Sequence, residues 1–244
     1  MVQDLLKKID GLQREINQYR PFEEPMLAEL KAYYRIGLTY SSNALEGNSL
    51  TETETKIILE DGLTAGGKPL RDHLETLGHS QAYDFIFTLM HQKLFAERDV
   101  LALHRMFYGR IDEAEAGNYR RQMVLISDSQ YPVPDWPHVP ALMKQWVGRL
   151  EEQSGTLHPV ELACQIHKEF VFIHPFIDGN GRVARLLTNL MLLQARYLIV
   201  IIPPIVRAEY IQALEKAHTD DRAFRRFMAE RVIETQKDYL RLLR

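Results

Sequence analysis

The sequence predicts an all-α fold broken by one extended segment. Three observations carry that expectation. Apolar residues recur at three- and four-residue spacing through almost every stretch between turn signals, the period of a helix with one buried face. Proline, glycine and capping residues punctuate the chain where those stretches end. Only residues 117–134 combine β-branched side chains with two closing prolines, Pro132 and Pro134, which exclude helix.

The elements follow in order. Val2, Leu5, Leu6, Ile9, Leu12 and Ile16 form an amphipathic stripe over residues 2–18, suited to packing on the body or on a partner. Pro21 and Pro25 interrupt, and a long helix over 25–46 stops at Gly47-Asn48. Thr51-Glu52-Thr53-Glu54 reads as a capping box that opens a short helix to about Glu60. Residues 61–69 form a loop; Gly67-Lys68 is followed by Pro69 rather than Ser or Thr, so it is no phosphate loop. Helices are expected over 71–92, 98–109, 138–153, 159–173, 181–195, 207–218 and 221–242. Residues 117–134 read as a surface hairpin or an irregular loop. No internal repeat or low-complexity tract is present.

Composition bounds the function without naming it. With 244 residues, 45% of them hydrophobic, the chain can bury a sizeable core. It divides into an N-terminal helical region, 1–92, and a core with C-terminal helices, 93–244, packed as one unit. A formal net charge of −3 gives no basic footprint for nucleic acid. No apolar run reaches membrane-spanning length, and the first residues lack a secretory pattern, so the cytoplasm is the expected compartment. Cys164 is the single cysteine and reads as a small core residue. His73 and His79, six apart, and His167 and His174, seven apart, do not have the spacing of a helix-borne zinc site.

One segment concentrates the chemistry: His174-Pro175-Phe176-Ile177-Asp178-Gly179-Asn180-Gly181-Arg182-Val183-Ala184-Arg185. Pro175 pushes His174 out of helical backbone angles, so the imidazole stands at the end of the preceding helix. Its ordinary pKa suits a general base near neutral pH. Gly179-Asn180-Gly181 then opens a new helix, and glycine lets successive N–H groups turn inward as an anion site. The helix start adds partial positive charge, and Arg182 and Arg185 reach from one face toward the same anion. Asp178, just before the turn, is placed to hold a magnesium ion shared with phosphates.

At these residues the chain resembles the Fic domain family, whose signature is H-P-F-x-[D/E]-G-N-G-R-x-x-R; every specified position matches. The resemblance implies a Fic fold and transfer of AMP from ATP to a Ser, Thr or Tyr hydroxyl of a target protein. It gives His174 the role of general base and Asp178 that of magnesium ligand. Gly179, Asn180 and Gly181 would face the α-phosphate, and Arg182 and Arg185 the phosphate tail, with Phe176 as a buried anchor. In phosphate-transferring relatives of the Doc type, Lys commonly replaces the second glycine of the loop. Gly181 therefore favours nucleotidyl transfer.

A second segment, Ser42-Asn43-Ala44-Leu45-Glu46-Gly47, is similar to the inhibitory motif [S/T]-x-x-x-E-[G/N] of the family. Ser42 and Glu46 share a helix face. The resemblance implies that Glu46 pairs with Arg185 and denies it to the γ-phosphate, so that ATP binds unproductively. The G-x-Y-R segment from Gly117 resembles the family's flap, a β-hairpin over the active site. It would pair with a target strand, and its Val124, Ile126 and Ser127 are candidate nucleotide contacts. The helix over 207–218 resembles the one closing the adenine pocket, with Tyr210 and His218 as base contacts; many members have Asn at the latter position.

The expected activity is AMP transfer restrained by Glu46, with ATP as co-substrate, magnesium as cofactor and a protein acceptor, the chain itself among the candidates. Three rival readings share these residues. Removal of AMP from a modified protein would use Glu46 to align water. Transfer of another group, such as UMP or phosphocholine, would use the same anion site. A non-enzymatic, nucleotide-regulated binding module would leave His174 without a task. Neither the target nor the oligomeric state is written in the sequence.

Overall fold

A computed structural model describes residues 2–126 and 129–244. Helix α1 (Val2–Asn17) runs along α10 (Arg222–Leu243), burying Leu6, Ile9 and Ile16. The amphipathic stripe thus lies on the body of its own chain. Each such aliphatic side chain removed from water contributes about 1.5–3 kcal/mol. Gln236, a polar insertion at this seam, is partnered at one end only: Nε2 donates to Gln13 Oε1 at 3.0 Å, while Oε1 is buried without a partner among the described residues.

Helix α2 (Glu24–Ala44) begins with Pro25 in its first turn and ends in a turn closed by Gly47. Helix α3 (Glu52–Lys56) has the expected capping box and continues as one π-turn, Ile57–Asp61, ended by Gly62 in the left-handed region. The loop that follows leads into α4 (Leu70–Leu89), which packs on α2 and on α5 (Glu97–Tyr108). Helix α6 (Val139–Gln153) lies against α7 (Pro159–Ile173). Helix α7 in turn covers α8 (Asn180–Gln194). Helix α9 (Arg207–Lys216) packs on α10.

Helix α8 is the centre of the fold. Val183, Ala184, Leu186, Leu187 and Leu190 are all fully buried, and α7, α4, α2 and α5 surround it. A helix buried on every side belongs in the middle of a domain, and its buried polar residues, Arg182, Arg185, Thr188 and Asn189, find partners there. Its N-terminus, where the polar motif residues sit, is thus anchored on a deeply buried helix. No helix among the described residues is long and apolar enough to cross a membrane.

Residues 117–134 differ from the expected hairpin. Among the described residues they contain neither strand nor helix. The physical reason lies in Arg120, 1% exposed, whose side chain joins the two limbs in place of a backbone ladder. It donates from Nη1 to the Gln122 carbonyl at 3.2 Å and from Nη2 to the Pro134 carbonyl. Its own N–H is taken by the Pro175 carbonyl at 2.9 Å. Pro132 and Pro134 offer no donors in return.

Candidate active site

The turn between α7 and α8 is built by local backbone constraints. His174 caps α7 in the left-handed region, with φ 50° and ψ 60°, a conformation costly for a residue with a side chain. Arg120 Nε holds it there by donating to the His174 carbonyl at 2.8 Å. Asn180 then straps the turn: its Oδ1 accepts from the Phe176 N–H and its Nδ2 donates to the Phe176 carbonyl, both at 2.9 Å. Both ends of that side chain hold the turn, and Asn180 is buried. Phe176 is fully buried and stacks on His104 with ring centroids 3.7 Å apart.

His104 joins the loop to the extended segment. The Gly117 N–H donates to its Nδ1 at 2.9 Å, so Nδ1 carries the lone pair and Nε2–H donates to the Asp178 carbonyl at 3.1 Å. Burial pushes its pKa down to about 4, keeping the ring neutral in this relay. His174 is likewise pushed down, from 6.5 to about 4, chiefly by burial. Its Nδ1 lies 3.3 Å from the Val171 carbonyl. That contact makes Nδ1 the donor and leaves the Nε2 lone pair for a substrate proton.

The two arginines are buried and held by different partners. Arg185 Nη2 donates to Glu46 Oε1 at 2.7 Å and to the Ser42 carbonyl at 2.8 Å, while Nε donates to Ser42 Oγ at 2.9 Å. Nη1 is buried without a partner among the described residues. Desolvation pushes the Glu46 carboxyl up, but the Arg185 and Arg182 charges outweigh it and the net shift is downward. Arg182 pairs with Glu75 Oε1 at 2.9 Å and Asp178 Oδ1 at 3.1 Å, and lies over the Phe107 ring at 4.3 Å. Arg71 donates to Asp178 Oδ2 and, through Nε, to Glu75 Oε1 at 3.1 Å. Asn48 Nδ2 completes the set by donating to Glu75 Oε2 at 2.9 Å.

Gly181 is where Glu46 meets the loop. A Cβ there would lie 2.2 Å from Glu46 Oε1 and 3.1 Å from Arg185 Nη1, so only glycine leaves room for the carboxylate. The remaining cavity measures about 170 Å³ and is lined by Glu46, His174, Gly181, Tyr210, His218 and Ile126, among others. That is smaller than the roughly 300–1,000 Å³ of sites enclosing drug-sized ligands. Glu46 takes up the room directly above the second glycine of the loop.

The other expected contacts divide. Ile126 lines the cavity, Val124 does not, and Ser127 lies outside the described residues. His218 lines it as the middle of a stack, 3.6 Å from Phe172 and 4.0 Å from Tyr131 by ring centroid. Tyr210 presents only its ring. Thr188 Oγ1 donates to the Ala184 carbonyl at 2.8 Å and so accepts from His167 Nδ1 at 3.0 Å. The remaining His167 Nε2 accepts the Tyr210 hydroxyl at 2.7 Å. Sequence reasoning missed Arg71, Glu75 and His104, and noted Arg120 only within a motif. An i, i+4 Arg71–Glu75 pair was readable, but its link to Asp178 and Arg182 was not.

Comparison with known proteins agrees with this geometry. A family model described as the Fic/DOC family matches residues 94–192. A "Protein adenylyltransferase Fic" of Drosophila grimshawi is 39% identical over 219 residues, covering 87% of this chain and 44% of that protein. Its Drosophila mojavensis counterpart is 38% identical over 216 residues, covering 87% of this chain and 42% of that protein. The chain thus spans less than half the length of these curated relatives. Among solved structures, Fic-1 from C. elegans superposes with a TM-score of 0.91 at 32% identity, covering 99% of this chain and 72% of that one. A Fic domain containing signaling protein from Bacteroides thetaiotaomicron gives 0.85 at 26%, covering 97% and 94%. Motif, fold and likeness over nearly the full chain converge: this protein belongs to the Fic/DOC family.

Proposed function

We propose that this chain transfers AMP from ATP to a hydroxyl of a protein target, and that Glu46 restrains it. The observation that carries the reading is the neutral His174 with its Nε2 lone pair free, in the same cavity as the glycine loop and Glu46. Relatives named protein adenylyltransferase at 38–39% identity point the same way.

In this reading the acceptor hydroxyl gives its proton to His174 Nε2 and its oxygen bonds to the α-phosphorus. The bond from that phosphorus to the pyrophosphate oxygen breaks, and pyrophosphate leaves with the electron pair. The unpaired N–H groups at the α8 start face the developing charge, and Arg182 and Arg185 neutralise the phosphate tail. Asp178 fits a magnesium site: it is one carboxylate at the loop mouth, as an ion otherwise held by phosphates and water requires. Magnesium bound there would offset phosphate charge. Arg71 and Arg182 compensate the same carboxylate without it.

Glu46 and Ser42 hold the Nε and Nη2 donors of Arg185, and Nη1 is buried, so the guanidinium is withheld from the γ-phosphate. Loss of Glu46 frees both that guanidinium and the volume above Gly181. The target would align along residues 118–126, whose backbone has no ladder partner and whose Met123 and Leu125 are 54% and 92% exposed. The test uses Glu46→Gly protein with ATP labelled at either the α- or the γ-phosphate. Protein-bound label from the α position alone supports AMP transfer; label from the γ position rejects it.

One observation favours a second reading, hydrolytic removal of AMP from a modified protein. The Glu46 side chain is 35% exposed and lines the cavity with His174, so its carboxylate can hold a water there. Incubating an AMP-bearing target with wild type and Glu46→Gly separates the two. Faster loss of AMP with wild type supports removal.

A further inference from the structure

A second cleft of about 860 Å³ opens between the first turns of α2 and the last turn of α8. It lies at the far ends of the two helices whose near ends present Glu46 and Arg185. Phe22, Leu27, Leu30, Phe87, Leu193 and Ile199 make its walls apolar. Its charged lining is cationic throughout: Arg20, Lys31, Lys93 and Arg196, with no Asp or Glu.

Most of these cations lack a carboxylate partner among the described residues. Lys31 is answered by Asp84 at 3.2 Å, but Arg20, Lys93 and Arg196 have no carboxylate partner among the described residues. Arg20 donates from Nη2 to the Arg196 carbonyl at 3.0 Å, which leaves its Nε buried without an acceptor. Gln194 Oε1, on the same lining, is buried without a donor. Burial chiefly, and then the Arg196 charge, push the Arg20 pKa down. Arg196 itself stands at φ 63°, a conformation disfavoured for a residue with a side chain.

Guanidinium groups without a carboxylate partner, set over an apolar trough, are complementary to an anion on a hydrocarbon body. A carboxylate would satisfy both forks and remove their repulsion, and the volume matches pockets that enclose single small molecules. We propose that this cleft binds a single-chain anionic amphiphile, its carboxylate at Arg20 and Arg196 and its alkyl body against Phe22, Leu27, Leu30 and Phe87. The proposal stands apart from AMP transfer, since it concerns a different cavity and is read by binding alone.

The test is calorimetric titration of the full chain with dodecanoate below its micelle concentration. One molecule should bind per chain, and dodecan-1-ol, lacking the charge, should bind about tenfold or more weaker. The Arg20→Ala/Arg196→Ala variant should lose about tenfold or more in dodecanoate affinity while keeping its circular dichroism spectrum. In Glu46→Gly protein, saturating ATP should leave that affinity unchanged. No saturable binding, equal binding of the alcohol, or displacement by ATP would each overturn the proposal. Should the arginine variant not fold, a photoreactive fatty carboxylate on wild type decides. Crosslinks within residues 20–31, 87–93 or 193–199 support the site, and crosslinks elsewhere reject it.

Discussion

Glu46 Oε1 lies 2.7 Å from Arg185 Nη2 and occupies the space that a side chain at position 181 would need. One carboxylate therefore neutralises the second motif arginine and fills the room above the glycine loop. A charge-assisted bond of this kind contributes about 1.5–3 kcal/mol, so freeing Arg185 by Glu46→Gly should raise transfer roughly ten- to hundredfold. Initial rates with labelled ATP give the number, and equal rates would reject the restraint.

The same contact makes a stability prediction. Gly181→Ala drives its Cβ into Glu46 in wild type but only toward Arg185 Nη1 in Glu46→Gly protein. The substitution should destabilise wild type by about 1–3 kcal/mol and the Glu46→Gly form by clearly less, a coupling that a double-mutant cycle in urea resolves. Additive effects would show that Glu46 does not rest over the loop.

His174 should remain neutral well below its ordinary range. Its pKa falls to about 4 in the fold, so the folded protein binds fewer protons than the unfolded chain between that value and 6.5. The stability it contributes is complete above 6.5 and declines as pH drops toward about 4. In ATP-free protein, the imidazole NMR resonance assigned through His174→Ala should show no titration step near 6.5. A midpoint there would mean that the ring is solvated.

Arg120 ties the 117–134 segment to the turn between α7 and α8 through the His174, Gln122 and Pro134 carbonyls. Arg120→Ala leaves buried acceptors unpaired and should cost about 2–4 kcal/mol by urea denaturation. Limited proteolysis should then cut first within residues 118–134. Cleavage patterns like wild type would show that the tie does not hold the segment.

Arg71 and magnesium would compete for Asp178. Arg71 is half exposed and donates to Asp178 Oδ2, so Arg71→Ala removes a competitor without opening the core. Manganese binding, followed by electron paramagnetic resonance with ATP present, should tighten by about threefold to tenfold. Weaker binding would instead make Arg71 a positioning residue for the carboxylate.

The helices were legible because each carries its own signals. Pro159 opens α7, Thr51 and Glu54 cap α3, and the stripe from Leu6 to Ile16 shows the buried face of α1. The pairing of Glu46 with Arg185 was expected from motif resemblance, and the structure brings the two together. What escaped was long-range or depended on which way a side chain turns. Arg71 and Asp178 are 107 positions apart, and nothing near either residue announces the other. The sequence placed Asn180 with the α-phosphate loop and Tyr210 at the base, but did not show that the Asn180 side chain straps Phe176 or that the Tyr210 hydroxyl turns inward to His167. The hairpin failed because β-branched residues announce extended backbone but not its partner, and the Arg120 side chain took that place.

The most direct test compares Glu46→Gly with Glu46→Gly/His174→Ala, each incubated with α-labelled ATP and a cell lysate while ATP affinity is measured by calorimetry. Protein labelling by the first and at least about a hundredfold less by the second, with ATP bound equally well by both, is the expected result. Undiminished labelling without the imidazole would contradict its role as proton acceptor, and with it the mechanism.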